Sequence, residues 1–578
     1  MSIQNREIAA IFEEIADLLE IEGADAFRVR AYREAARLIP GLAEGLAERV
    51  ANGADLTELP SIGEAIAKKI AVIVETGRLP QLEEVRRRVP PSLRELLQLG
   101  GLGPKRVKAL REALGVASLA DLRQAVEAGK VHELPGFGEK TEAQLRERLA
   151  RWQGPSSRTP LIEAEELVRP LVEHLRGGPG ILDLAVAGSF RRRRETVGDL
   201  DILVACDDGA AVAERFVGYD AVAEVLSHGE TRASVRLRSG IQVDLRVVPP
   251  VSWGAALHYF TGSQSHNVAV RRRGVERGLK ISEYGVYRGE EAIAGRTEES
   301  VYTAVGLPFI VPELREDRGE IEAGERGALP DLVTLDDIRG DLHAHTDASD
   351  GHDSLAAMAE AAAALGYEYL AITDHTKHLG VAHGLDAKRL AAQIAAIDRL
   401  NERLAKRHEG RFQLLKASEI DILEDGSLDL PDEILARLDL RVASIHHRFD
   451  LPEHRQTERV IRAMDNRHVN ILAHPTGRLI GAREPYAIDL ERVMRAALER
   501  GCFLELNAQP SRLDLTDLAC QQAKELGLKV AISTDAHSRA GLERMRLGIG
   551  QARRGWLSAD DVINSRGLAA LRRLLRRA

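Results

Sequence analysis

The stretch "GSFRRRRETVGDLDILV", Gly188 to Val204, decides how the middle of this chain is read. Its end sets Asp199 and Asp201 one residue apart at the head of an apolar run. On a strand, residues i and i+2 face the same side, so both carboxylates point together while Leu200, Ile202 and Val204 serve packing. Two carboxylates that close repel unless a cation sits between them. Downstream, "RLRSGIQVDLRVV" (Arg236 to Val248) reads as two alternating strands joined by a Ser-Gly turn, with Asp244 on the face opposite Ile241, Val243 and Leu245. Three carboxylates and little else suit a hard cation, Mg²⁺ or Mn²⁺, that keeps waters and binds substrate phosphates. A pair of such metals about 3.5 to 4 Å apart serves in-line phosphoryl transfer. Upstream, the Gly188-Ser189 turn before a helix suits phosphate, and Ser189 with Arg192 would neutralise a triphosphate.

At 578 residues the chain exceeds one hydrophobic core, so three or four domains are expected. Its hydrophobic fraction of 44% and charged fraction of 29% are those of ordinary globular protein. No apolar stretch is long enough to span a bilayer, and "MSIQNREIAAIFEEIADLLE" reads as an acidic amphipathic helix rather than a signal peptide, which places the protein in the cytoplasm, at the nucleoid if it binds DNA. Cys206, Cys502 and Cys520 form no paired motif, so any metal must be held by His and carboxylates. The net charge of -9 leaves partners open, because a global sum hides local patches.

The first part reads helical, and one pattern returns three times: "LPSIGEAIAKKI" (Leu59 to Ile70), "LGGLGPKRVKAL" (Leu99 to Leu110) and "LPGFGEKTEAQL" (Leu134 to Leu145). Each pairs a Gly-bearing hairpin, carrying Gly63, Gly103 or Gly138, with a helix whose first-turn N–H groups are free to seat a phosphate. Lys68, Lys69, Lys105, Arg106 and Lys140 behind the turns favour sequence-independent contact with a nucleic-acid backbone over plain hairpin packing. The repeats resemble helix-hairpin-helix DNA-binding motifs. "RWQGPSSRTP" (Arg151 to Pro160) reads as a linker, after which the period changes to mixed α/β. From Arg315 to Asp336 the chain turns polar and aperiodic, and a second boundary is placed there. Beyond it, short apolar strands alternate with helices in the pattern of a parallel βα barrel.

The histidines of this last part sit at strand ends: His343 and His345 in "DLHAHTDASDG", His375 in "ITDH", His446 in "SIHH", His474 in "LAHP" and His537 in "STDAH", with Glu419 in "ASEIDI" and Asp535 beside His537. Barrel strands converge at their C-terminal face and would bring these groups together. So many N/O ligands exceed one metal's needs, so two or three ions are implied, Mn²⁺ or Zn²⁺.

Taken together, "GSFRRRRETVGDLDILV", "QVDLRVV" and "YFTGSQSHNVAVR" (Tyr259 to Arg271) resemble the palm and thumb of family X, polymerase-beta-like, DNA polymerases, and the histidine set resembles a PHP phosphoesterase domain. The first resemblance covers roughly Met1 to Asp317 and the second Leu335 to Ala578. They imply a multidomain chain: helix-hairpin-helix segments at 1–90 and 91–155, an α/β nucleotidyltransferase palm at 156–250, a thumb at 251–318, a linker at 319–335 and a PHP (βα)7-type barrel at 336–578. By the likeness Asp199, Asp201 and Asp244 hold the catalytic metals. Ser189 and Arg192 then hold the triphosphate; Tyr259 and Phe260 exclude a ribose 2′-hydroxyl; Asn267 and Arg271 meet the minor-groove edge of the nascent pair; Gly188, Gly198 and Gly262 complete the nucleotide-binding set. Gln264 departs from vertebrate relatives, which carry an acidic residue there. Lys69 falls where family members form a Schiff base with a 5′-deoxyribose phosphate, with Tyr32 and Arg28 as phosphate neighbours. Asp350 completes the nine-ligand PHP set, with His352 as a competing ligand, and Arg478 in "HPTGR" is a candidate to orient a phosphate. The implied function is filling short gaps in damaged DNA, with deoxynucleoside triphosphates and gapped or nicked DNA as partners of a monomer. The barrel then acts as a 3′-to-5′ exonuclease, or as a 3′-phosphodiesterase and abasic-site nuclease. Two other readings stay open: a barrel acting as a small-molecule phosphatase of the histidinol-phosphate kind, and a silent end-binding scaffold.

Overall fold

Apolar residues at helical spacing build the first part of the chain: Ile8, Phe12, Ile15 and Leu19 line one buried face of the helix Asn5–Glu22. Asp25 caps the next helix, Ala26–Leu38, by accepting from the backbone N–H groups of Phe27 and Arg28. The computed structural model describes residues 5–39, 46–59, 62–97, 99, 102–151, 158–178 and 180–576. It divides into two units, Met1–Ser156 with Gly481–Glu484, and Ser157–Ile480 with Pro485–Ala578. Most of the expected linker, 152–157, lies outside the described residues.

Within the first unit the three repeats share one construction. A buried apolar residue (Ile62, Leu102, Phe137) precedes the glycine, and the helices Glu64–Thr76, Pro104–Leu114 and Glu139–Arg151 follow. Each helix buries a stripe, Ile66, Ile70 and Ile73 in the first case, Val107 and Leu110 in the second and Leu145 and Leu149 in the third.

The second unit opens with the amphipathic helix Leu161–Arg176 and a five-stranded mixed sheet. Its strands are β2 (Asp183–Val186), β4 (Asp199–Ala205), β5 (Val222–His228), β6 (Arg232–Leu237) and β7 (Gln242–Val248), ordered β2-β4-β7-β6-β5, while β1 (Thr159–Pro160) pairs separately with β3 (Thr196–Val197). The helices Trp253–Thr261 and Gln264–Glu276 follow, then the small antiparallel sheet β8 (Lys280–Ser282), β9 (Gly285–Arg288) and β10 (Glu291–Ala294).

The segment expected as a linker at 319–335 is instead packed structure. It contains the helix Glu320–Glu325, and Glu320 is fully buried against His266, whose Nδ1 lies 2.7 Å from its carboxylate. Arg315 beside it is fully buried as well, bound to Glu298 at 2.6 Å. A polar sequence read as a solvated tether because Arg315, Glu320 and Glu325 find their partners at a distance in sequence.

Seven short parallel strands in sequence order then form a nearly closed barrel: β11 (Gly340–Ala344), β12 (Tyr369–Ile372), β13 (Gln413–Asp421), β14 (Leu440–Ser444), β15 (Ile471–Leu472), β16 (Phe503–Asn507) and β17 (Val530–Ser533). A bridge between Ala344 and Ala536 joins the last strand's end to the first. Nearly every strand residue is buried, as expected where helices cover a parallel sheet.

Candidate active sites

Parallel pairing of β4 with β7 sets Asp201 directly opposite Asp244 and Asp199 opposite Gln242. The turn before β4 approaches this edge closely: a Cβ on Gly188, whose φ is +61°, would lie 2.5 Å from Asp201 Oδ2. Only glycine fits there. Asp244 accepts from the Ser234 hydroxyl and from Gln242 Nε2 at 3.1 Å. Burial, then the charges of Asp199 and Asp244, push the Asp201 carboxyl up to about 7. Like charges held together at this expense form a receptor for a divalent cation, which removes the repulsion.

The expected nucleotide-binding residues lie on the turns flanking β3 and on the two helices that follow the sheet. Gly188 and Ser189 begin a four-residue helical turn, Gly188–Arg191, and Gly198 links β3 to β4. The Arg192 guanidinium is engaged, its Nε donating to Glu316 at 3.1 Å and its Nη1 to the Thr261 carbonyl at 2.8 Å. Tyr259 and Phe260 meet edge to face, 5.1 Å between centroids. Asn267 donates to the Tyr259 carbonyl at 2.6 Å, and a Cβ on Gly262 would come within 2.6 Å of Asn267 Oδ1, a buried atom without a hydrogen-bond partner. Arg271 lies one turn further along the same helix, its Nε 3.4 Å from the Asn267 carbonyl.

In the barrel, strand ends converge as the βα pattern requires. Among the described residues, three His and carboxylate groups have ligand atoms all within 4.8 Å of one another: His345, Asp350, His375 and His537; His343, His345 and Asp535; and His375, Glu419 and His446. His474 joins them through Glu419, 3.0 Å away. Shared members make this one continuous cage. Asp350 belongs to it, while His352 is exposed and outside it. His343 Nε2 and both ring nitrogens of His345 are buried without hydrogen-bond partners, which is what metal ligands look like before a metal fills the space between them. His474 (φ 27°) and Asp535 (φ 51°) hold left-handed backbones, strain of a kind stored at functional sites.

Charge in the cage is balanced internally. Burial opposes a charged His446, yet Glu419 and Asp421 push it up to about 10; Asp350 and Asp535 likewise push His537 up to about 9. Burial lowers the proton affinity of His345 and His474 instead, and any metal bound here would compete with protons for the ring nitrogens.

Sequence reasoning missed the groups behind these ligands. Glu505 is fully buried, sits 2.7 Å from His343 Nδ1 and accepts from the His474 backbone N–H at 2.8 Å. Asp421 lies 2.8 Å from His446 Nδ1. Both fix imidazole orientation, and their one sequence signal was a carboxylate inside an otherwise apolar strand. Arg478, expected to orient a phosphate, donates Nη1 and Nη2 to Glu195 at 3.2 and 2.6 Å and Nη2 to the Leu513 carbonyl at 2.5 Å, while its Nε is buried without a hydrogen-bond partner. Arg512 faces the cage instead: its Nε lies 3.8 Å from Asp535 Oδ2, and its buried Nη1 has no hydrogen-bond partner.

In the first unit, a Cβ on Gly63, Gly103 or Gly138 would meet nothing within 4 Å. The chain's own packing therefore does not demand glycine, whereas close approach of a ligand backbone would. Lys68, Lys105 and Lys140 are exposed beside these turns. The Lys69 ammonium lies 5.7 Å over the Tyr32 ring, and burial, then the charge of Arg28, lowers its affinity for a proton.

Five domain models match the chain: a helix-hairpin-helix domain over residues 3–79, a SAM-like helix-hairpin-helix tandem over 93–151, DNA polymerase beta palm over 158–239, DNA polymerase beta thumb over 256–316 and a PHP domain over 341–509. DNA polymerase lambda of Rattus norvegicus is 26% identical over 345 residues, 54% of this chain and 56% of its own length. A probable phosphatase of Thermoanaerobacter sp. (strain X514) is 31% identical over 238 residues, 39% of this chain and 89% of its own. The DNA polymerase/3′-5′ exonuclease PolX of Bacillus subtilis (strain 168) is 39% identical over 579 residues, 100% of both chains. With 39% identity over both full lengths, and helix-hairpin-helix, palm, thumb and PHP models matching in order along it, the chain belongs to the PolX family.

Proposed function

We propose that this chain fills short gaps in damaged DNA, adding deoxynucleotides at Asp199, Asp201 and Asp244, and that its barrel removes nucleotides from 3′ ends at the histidine cage. The observation that carries the first half is the register of Asp201 on Asp244 with Gly188 pressed against them. Divalent cations there, Mg²⁺ or Mn²⁺, would neutralise the carboxylates and the triphosphate. The chain's own groups do the rest. The Gly188-Ser189 turn seats phosphate oxygens, Arg192 leaves Glu316 to meet the triphosphate, and Asn267 holds the Tyr259 carbonyl so that the aromatic pair crowds a 2′-hydroxyl.

In the barrel, the cage suits two or three Mn²⁺ or Zn²⁺ ions, whose chemistry would be hydrolysis of a phosphodiester. Glu505 and Asp421 hold His343 and His446 in orientation, and Arg512 supplies the fixed charge for a substrate phosphate. The segments share the work: 1–90 and 91–155 hold the DNA backbone, 156–250 and 251–318 build the polymerase site, and 336–578 degrades ends. In the first segment Lys69, with a weakened hold on its proton beside Tyr32 and Arg28, is placed to attack a 5′-sugar aldehyde.

The test is primer extension on a one-nucleotide-gapped duplex. Wild type extends the primer by one residue and Asp201→Ala does not; extension by Asp201→Ala at the wild-type rate overturns the assignment. A second reading for the barrel, small-molecule phosphatase, is favoured by the probable phosphatase that matches 39% of this chain over 89% of its own length. Faster turnover of histidinol phosphate than of a 3′-ended oligonucleotide would establish it.

A further inference from the structure

The run Arg191–Arg194 carries more charge than a triphosphate needs, and each of its arginines is already claimed by a carboxylate. Arg191 binds Glu298 through two bonds of 2.9 and 2.6 Å. Arg192 binds Glu316, Arg193 binds Glu165 at 2.6 Å, and Arg194 lies 3.6 Å from Glu316. Arg193 holds a left-handed φ of 57°. A side-chain-bearing residue keeps that conformation only where its surroundings enforce it.

The enforcing surroundings belong to the barrel. Its helix Met545–Arg554 places Arg546, Gly550 and Arg554 four residues apart, hence on one stripe. Arg546 binds Glu165, the same carboxylate that holds Arg193. A Cβ on Gly550 would lie 3.2 Å from Arg193 Nε, so the bare backbone there lets the two segments pack closely. Arg554, 2% exposed, donates Nη1 to the Arg192 carbonyl at 2.9 Å and to Glu316 at 2.9 Å, and Nη2 to Asp517 at 2.6 Å. Arg478 grips the end of the same run through Glu195. Leu547 and Leu513 continue the contact in apolar form, clustering with Val197, Leu200 and Val243 of the palm.

We propose that this stripe of the barrel helix positions the nucleotide-binding turn, so that the barrel is a working part of the polymerase site, with Arg554 as its chief positioning residue. The inference rests on the polymerase reading above. Arg554 acts in two ways. Through the Arg192 carbonyl it fixes the turn. By sharing Glu316 it also keeps that carboxylate, only 10% exposed, closely paired when a triphosphate draws Arg192 away, where Arg194 alone would leave a contact of 3.6 Å. Without Arg554, Glu316 holds Arg192 more firmly and the nucleotide must compete for it.

The test is steady-state single-nucleotide gap filling by wild type, Arg554→Ala, Arg554→Lys and Gly550→Leu, with degradation of a single-stranded 3′ end measured on the same preparations. The expected result for Arg554→Ala and Gly550→Leu is a rise in KM for the incoming nucleotide of roughly five- to tenfold with kcat nearly unchanged and 3′ degradation at the wild-type rate. Arg554→Lys, which keeps one charged donor, recovers part of the loss. KM within twofold of wild type in both Arg554→Ala and Gly550→Leu overturns the proposal. Equal loss of both activities in every variant also overturns it, since the contact would then be structural alone. Absence of extension by the wild type itself is a separate failure, that of the polymerase reading.

Discussion

At the residue scale, the same physics governs Asp201 and Glu298 with opposite signs. Asp201 is buried beside two like charges and raised to about 7, so its ionisation costs stability at neutral pH while no cation is bound. Asp201→Asn is expected to stabilise the metal-free protein at pH 8 by about 2 kcal/mol while abolishing nucleotide addition, read by denaturant melts beside primer extension. Glu298 is also buried, yet the hydrogen bonds from Arg191 and the charge of Arg315 hold its carboxyl below the usual value. Its contribution is therefore complete above the unfolded carboxylate pKa of about 4.3 and is lost as pH falls through the folded value. Glu298→Gln should cost about 2 to 4 kcal/mol at pH 7 and flatten the acid limb of a Tm-against-pH curve. In the barrel, Arg512→Ala should raise KM for 3′-ended DNA roughly tenfold, with partial recovery in Arg512→Lys. The clustering of the carboxylates and histidines was legible in the sequence because each sits in a short local pattern at a strand end. Glu505, Glu316 and Arg554 were not, because their partners lie far along the chain: Glu505 serves His343 across 162 positions, and Arg554 reaches Glu316 across 238.

At the element scale, helical and barrel periodicities translated directly into structure. The three hairpin repeats kept an apolar anchor before each glycine, and the histidines ended on parallel strands as their spacing implied. The stretch after Arg315 did not translate, because hydropathy reads a charged residue as exposed, whereas Glu320 is buried 2.7 Å from His266 Nδ1 and accepts from the backbone N–H groups of Asp317 and Arg318. The hairpins offer a test of their own. Since a Cβ at Gly103 meets nothing, Gly103→Val should leave the melting temperature of the first unit nearly unchanged while weakening DNA binding. Removing one backbone contact with Lys105→Ala should lower the slope of log K against log salt by about 1. A fall in melting temperature of more than a few degrees in Gly103→Val would assign the glycine to packing instead.

At the scale of the whole molecule, palm, thumb and barrel share one unit, and the barrel's Leu513 and Leu547 complete the palm's apolar core. Domain matches along the sequence revealed the parts but not this joint, since neither leucine differs in type from dozens of others. Truncating Leu547 to Ala should cost about 2 to 4 kcal/mol and lower the inactivation temperatures of gap filling and 3′ degradation together, rather than one alone. Among the described residues no helix is long and apolar enough to cross a membrane. Two chemically separate centres in one chain require that each activity can be lost without the other. The direct measurement is a single end-labelled gapped duplex incubated with Mn²⁺ and nucleotides, on which products longer and shorter than the primer are read from one lane. Wild type should give both, Asp201→Ala only the shorter and His343→Ala only the longer. Loss of both product classes in either variant, or survival of both, would contradict it.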